Sequence, residues 1–276
     1  RIVERLPEAA RDGAPNYFDR QRFGSLGESG EFMARAWSAR DYERAMWLAL
    51  ADPTASDRPE DRAEKKALRE RWGDWGGLAA SLGRGVRRDA AAYLAEHPAD
   101  FRRAITRIPV GQRRIYVEAY QSDLWNRLLG AFLRQTFAAE QLFDTEIAGR
   151  AAPFYRAAND TQRGLATSTR LPLPSSRAHL AEGPIKTLVD ATLGELGLRL
   201  RDLEIPYPRD SFFSKGERPA AFVPQGLSHR QEADETAVGR QKLILQFALP
   251  RGAYATILVR RVYPEAEQAP QADDPD

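Results

Sequence analysis

Apolar positions recur at helical spacing through the first half of the chain, while the second half breaks into short, proline-punctuated runs and one strongly β-forming stretch. Residues 1–12 predict a short helix with Ile2, Val3 and Leu6 on one face, ended by Gly13 and Pro15. Residues 16–23 follow no helical or strand period and read as an extended segment or loop. Residues 24–30, with three glycines and two serines, read as a turn. Phe32, Ala36, Trp37, Ala45, Trp47 and Leu48 then predict a helix pair burying aromatics over 31–51. After a polar break at 52–61, helical patterning runs from about 62 to 143, interrupted at 72–77, 83–85, 97–98 and 109–111.

Beyond residue 149 the texture changes. Residues 171–176 are extended, 184–196 predict a helix with Pro184 in its first turn, and 206–208 and 211–219 read as loops. Residues 220–223 are a candidate strand, and 242–249 form the strongest strand of the chain. Pro250-Arg251-Gly252 turns that strand into 253–262, an apolar stretch that propensity alone leaves open between strand and helix.

Composition narrows the class. Charged residues make up 29% of the 276 and the longest apolar runs fall far short of the roughly 18 residues of a bilayer span. No signal peptide is expected ahead of the first element. The absence of cysteine excludes disulfides and thiolate metal sites and fits a cytoplasmic home. His97, His179 and His229 lie far apart without ligand spacing, so no metal is expected. The net charge of +2 understates the basic surface: Glu265, Glu267, Asp273, Asp274 and Asp276 crowd the last thirteen residues without a cation, and removing them leaves +7. That excess favours a polyanionic partner. Residues 264–276 read as a disordered acidic tail.

The densest chemistry is Pro15-Asn16-Tyr17-Phe18-Asp19-Arg20-Gln21-Arg22-Phe23-Gly24. Aromatics stack on bases, arginines pair with phosphates and an Asn amide can read a base edge, so the composition suits an unstacked nucleotide. The alternative is an aromatic-rich segment entering a core. Three further stretches stand out: Tyr116-Val117-Glu118-Ala119-Tyr120-Gln121-Ser122-Asp123-Leu124-Trp125-Asn126, Ser214-Lys215-Gly216-Glu217-Arg218-Pro219, and Phe247-Ala248-Leu249-Pro250-Arg251-Gly252-Ala253-Tyr254-Ala255-Thr256. Tyr116, Tyr120, Leu124 and Leu128 share one helical face, which favours a packing role for the second stretch.

In this order, the four stretches resemble PNYFxxQRFG, YxxAYQSxLWN, SKGxRRP and F-x-LPxGSYAT of the TruD family of tRNA pseudouridine synthases. The resemblance covers residues 15 to about 260. It implies an α+β fold in which a partial pseudouridine-synthase core, a mixed or antiparallel sheet with helices, is interrupted by a mainly helical inserted domain. Residues 1–41 and 230–263 then belong to the core and 42–229 to the insertion, and 253–262 become a helix. It implies isomerisation of a tRNA uridine to pseudouridine, with tRNA as partner and without cofactor or metal.

By the same resemblance Asn16 and Phe18 lie against the target uridine, the Phe stacking and the Asn hydrogen bonding nearby, and Tyr254 approaches the same nucleotide. Arg22 is a candidate phosphate contact or, equally, a salt bridge fixing its loop. Lys215 and Arg218 are candidate contacts to the RNA backbone or solvated loop cations. Asp19 stands where many relatives have Gly, and Arg261 where the family has an acid. The family's catalytic aspartate lies in a GxKDxxAxTxQ motif upstream of PNYF, and no such motif occurs here. Asp160-Thr161-Gln162 echoes it only superficially and reads as a polar loop. The nucleophile is therefore expected upstream of Arg1, and this polypeptide alone is expected to bind RNA without turnover. The alternatives are a noncatalytic RNA-binding protein derived from the family, or an unrelated helical interaction protein.

Overall fold

The computed structural model describes residues 2–237 and 239–263. Along the chain run α1 (Ile2–Asp12), β1 (Ala14–Pro15), a 3-10 turn (Arg20–Phe23), α2 (Met33–Ser38), α3 (Tyr42–Leu50), α4 (Pro59–Glu70), α5 (Trp75–Ser81), α6 (Val86–Glu96), α7 (Phe101–Ala104) and α8 (Val110–Thr136). There follow β2 (Leu142–Ile147), β3 (Arg150–Tyr155), α9 (Asp160–Ser168), β4 (Arg170–Pro172), α10 (Pro184–Gly194), β5 (Glu217–Pro219), β6 (Ala221–Phe222), β7 (Gln225–Ala233), β8 (Gln241–Ala248) and α11 (Ala255–Val262). The fold is α+β. Among the described residues the strands pair only two by two: β1 with β6, β2 with β3, β4 with β5, and β7 with β8. No described helix is long and apolar enough to cross a membrane. No described cluster of His, Asp and Glu could hold a metal ion. The proposed acidic tail lies outside the described residues.

Helix starts follow local chemistry. Asp41, Asp74 and Asp100 each accept a hydrogen bond from the backbone N–H three residues on, capping α3, α5 and α7. Pro59 and Pro184 open α4 and α10. Asn159 and Gln162 form a reciprocal capping box at α9, which makes Asp160 the first residue of a helix rather than part of a loop. Pro109–Gly111 proves to be the entrance to α8, and Trp75 to Gly77 the first turn of α5, because Pro and Gly are tolerated at those positions.

Chain packing divides into two units. Among the described residues, the first holds 2–19, 126–171 and those from 217 to 263, and the second holds 20–125 and 172–216. In the second, α2 to α7 gather around Trp37, Met46, Leu68, Leu78, Leu94 and Ile105, all fully buried. Tyr116, Tyr120 and Leu124 of α8 are buried as their spacing predicts. Gln121 is fixed there through its amide, donating to the carbonyls of Pro174 (2.9 Å) and Ser214 (2.8 Å). Lys65 on α4 is buried against Asp57 at 2.7 Å, where its ammonium neutralises a carboxylate already bound by Thr54.

In the first unit α1 packs on α11, which also lies beside β1. The β2–β3 hairpin closes through Ala148 and Gly149, both at positive φ (51° and 77°), the two-residue turn that matches strand twist. Tyr17, Phe154, Tyr155, Ile257, Leu258 and Val262 form the core. Tyr17 is fully buried, its ring 5.4 Å from Phe154 and its hydroxyl donating to the carbonyl of Pro153 (3.0 Å). Burial pushes the Tyr17 hydroxyl well above its ordinary pKa, so it stays protonated.

Candidate functional site

The segment Asn16 to Asp19 leaves β1 as extended chain because its hydrogen-bonding groups are satisfied one by one from elsewhere in the unit. The N–H of Asn16 donates to the carbonyl of Ala220 at 2.9 Å, next to the β1–β6 pairing of Ala14 with Phe222 and Pro15 with Ala221. The N–H of Phe18 donates to Oδ1 of Asn126 (2.9 Å), and the carbonyl of Phe18 accepts from Nδ2 of the same residue (2.8 Å). One side-chain amide on α8 therefore holds both main-chain groups of Phe18, as a neighbouring strand would.

The side chains are equally constrained. Asn16 is buried; its Nδ2 donates to the carbonyl of Pro219 (3.0 Å) and its Oδ1 accepts from Nη2 of Arg218 (2.6 Å). Nε of Arg218 donates to the Asn16 carbonyl (2.8 Å), and Nη2 also reaches the carbonyl of Gly252 (2.8 Å). The guanidinium then lies over the ring of Phe18, 4.2 Å from its centroid. Phe18 meets Tyr254 edge to face, with centroids 6.5 Å apart and planes at 70°. Tyr254 is half-buried and sits immediately before α11.

Asp19 is buried against Arg260 at 3.3 Å, with the two side chains 4% and 8% exposed. Arg260 also donates to the carbonyl of Glu146 (2.8 Å). Asp19 is thus a structural anion rather than a carboxylate facing solvent. Arg261 is buried too, stacking over Tyr155 at 4.8 Å and donating to the carbonyls of Gly13 (3.2 Å) and Arg156 (2.7 Å). Burial lowers its pKa, and the carbonyls and the aromatic ring serve where an acid would otherwise pair with it.

The structure brings Asn16, Phe18, Arg218 and Tyr254 together. Arg22 and Lys215 belong to the other unit. There Arg22 pairs with Glu118 at 2.6 Å, the salt-bridge alternative, and Glu118 also holds Arg114 at 2.7 Å. Lys215 is exposed on the loop before β5. Sequence reasoning underrated Asn126, whose position on an apolar helix suggested packing. No local signal marks it: Asn126 is half-buried, one residue after the buried Trp125 and turned about 100° from it, where a polar side chain is ordinary. Phe18 is 7% exposed, with the guanidinium on its ring, and Tyr254 is half-buried, so the cluster is two aromatic rings and a planar cation held in fixed relation, groups of the kind that stack planar ligands.

Comparison with known proteins gives a consistent picture. The family model described as tRNA pseudouridine synthase D (TruD) matches residues 1–262. A Methanopyrus kandleri protein named "Probable tRNA pseudouridine synthase D" is 32% identical over 269 residues, covering 94% of this chain and 61% of that protein. The tRNA pseudouridine synthase D of Aquifex aeolicus is 27% identical, covering 95% of this chain and 65% of its own length. A crystal structure from Methanosarcina mazei, described as "Putative tRNA pseudouridine synthase D (TruD)", superposes with a TM-score of 0.72 at 22% identity, over 95% of this chain and 63% of that one. The chain thus spans under two thirds of the length of these relatives, and the structural match extends over nearly all of it.

Proposed function

The chain belongs to the TruD family, and from that premise we propose that it supplies the nucleotide-stacking and tRNA-docking part of a tRNA pseudouridine synthase. The reaction is an isomerisation. The bond from N1 of a uridine to C1′ breaks, the base rotates, C5 bonds to C1′, and the C5 proton is exchanged for one on N1. An aspartate borne on the family's GxKDxxAxTxQ motif, which does not occur within residues 1–276, would serve as nucleophile. Phe18 and Tyr254 would hold the extruded base, stacking being worth about 1–3 kcal/mol per base. On this reading residues 1–41 and 230–263 form part of the catalytic core, 42–229 the inserted domain, and the protein works on tRNA in the cytoplasm.

One observation supports the proposal: a residue from each of the other three motifs meets Phe18 of the first. Arg218 lies over its ring, Tyr254 against its edge, and Asn126 on its main chain. A packing motif alone has no need of that convergence around a ring flanked by a cation.

The test is binding of an unmodified tRNA transcript by this chain across a salt series, with Tyr254→Ala beside the wild type and thermal melting as a folding control. Binding that weakens with salt and falls about tenfold in a folded Tyr254→Ala variant is expected. Absent binding, or a variant that binds like wild type, overturns the assignment of the site.

A further inference from the structure

We infer that Arg218 is a positioning residue, the keystone that sets the geometry of Phe18 and Tyr254, and not a contact to RNA phosphate; this rests on the function proposed above. Three of its hydrogen bonds run to acceptors on two different segments: the Asn16 carbonyl, Asn16 Oδ1 and the Gly252 carbonyl, at 2.6–2.8 Å. Hydrogen bonds of a guanidinium lie in its plane, so satisfying these three fixes the plane itself. Its flat face is thereby laid 4.2 Å from the centre of the Phe18 ring.

Each acceptor lies beside a site residue. Asn16 is two residues before Phe18, and Gly252 two residues before Tyr254. The next two residues after Arg218 complete the arrangement, the carbonyls of Pro219 and Ala220 receiving the side-chain and main-chain N–H groups of Asn16. Asn16 thus has its amide oxygen and amide nitrogen both engaged within the protein, and its role too is to hold Arg218 rather than to read a base edge. Lysine at 218 would keep the charge but lose the fork and the flat face. The distinction between phosphate contact and keystone is therefore open to experiment.

Arg218→Lys and Arg218→Ala are to be compared with wild type in two readouts. The first is the slope of tRNA affinity against salt. The second, made without RNA, is the 19F NMR resonance of 4-fluorophenylalanine placed at position 18. A keystone predicts that both variants weaken binding by about tenfold with an unchanged salt slope, and that both displace or broaden the 19F resonance. Should Arg218→Ala fail to fold, Arg218→Gln, planar but uncharged, takes its place, with the same slope and an intermediate 19F change expected. A slope reduced by about one in the Ala or Gln variant, affinity restored by Lys and an unmoved 19F resonance would overturn the inference in favour of a phosphate contact. A wild-type chain that binds no tRNA would defeat the proposed function instead, and the 19F comparison would still decide whether Arg218 positions Phe18.

Discussion

Asn126 grips Phe18 by its main chain, its side-chain amide donating to the Phe18 carbonyl and accepting from the Phe18 N–H, at 2.8 and 2.9 Å. The bond pair imitates a β-bridge, yet it joins a helix to a segment 108 residues away in sequence. It lets an aromatic residue sit at a fixed height without a strand beside it.

Asn126→Ala should therefore destabilise the chain although alanine is the better helix former. Two main-chain groups lose their partner in a place with limited access to water, at a cost of about 1–3 kcal/mol for each group left unsatisfied. Urea denaturation checks this. A loss below about 0.5 kcal/mol would mean that water takes over both bonds.

The Asp19–Arg260 pair should behave as a buried ion pair does. Asp19→Gly, the residue many relatives have there, removes the anion 3.3 Å from the buried guanidinium of Arg260 and should cost about 3–5 kcal/mol. Arg260→Met in the same chain should recover part of that loss, because the uncompensated charge is gone. The recovery will be incomplete, since Arg260 also serves the carbonyl of Glu146. A double-mutant cycle by chemical denaturation measures the coupling.

Asp12 makes acid stability specific. Burial pushes its carboxyl up, but hydrogen bonds from Arg11, from the N–H of Ala158 and from Arg163 together outweigh burial and hold it down at about 2. The folded pKa lies below the unfolded value near 4, so the stabilisation is present in full above about pH 4. It is lost as pH falls towards 2, and amounts to about 2 kcal/mol. Asp12→Asn should be less stable than wild type at pH 6, and the gap should narrow between pH 4 and 2 in denaturation series. A gap constant with pH would show that Asp12 does not titrate differently on folding.

Gly13 tests the approach of α1 to β6. It has φ of +74°, and a Cβ there would stand 2.2 Å from the carbonyl oxygen of Phe222. Backbone cannot yield as a side-chain tip does, so Gly13→Ala should cost more than the ~1 kcal/mol of left-handed strain alone and lower the melting temperature markedly. A melting temperature within a degree or two of wild type would mean that β1 and β6 part easily.

Much of this was legible in the sequence where a local rule governs. The helix face of Tyr116, Tyr120 and Leu124 and the strand at 242–249 needed only periodicity. For 253–262 periodicity was silent, and the family resemblance supplied the helix that α11 forms. Other parts were hidden for physical reasons. The β2–β3 turn uses Ala148-Gly149 in place of Asn-Gly, and β7 is exposed along most of its length, so its sequence carries no apolar alternation. In the site, the aromatics of Phe18 and Tyr254 announced themselves by composition and resemblance. The partnership of Arg218 with Asn16 and Gly252 did not, because hydrogen bonds between residues 202 and 34 positions apart leave no local pattern.

The most direct test of the account is pseudouridine formation in an unmodified tRNA transcript, comparing this chain with the same chain extended upstream through the GxKDxxAxTxQ segment. The account predicts pseudouridine from the extended protein and none from residues 1–276 alone, with both binding the transcript. Turnover by the shorter chain would contradict the placement of the nucleophile. Silence in both, with tRNA still bound, would contradict the assigned activity and favour a noncatalytic RNA-binding role.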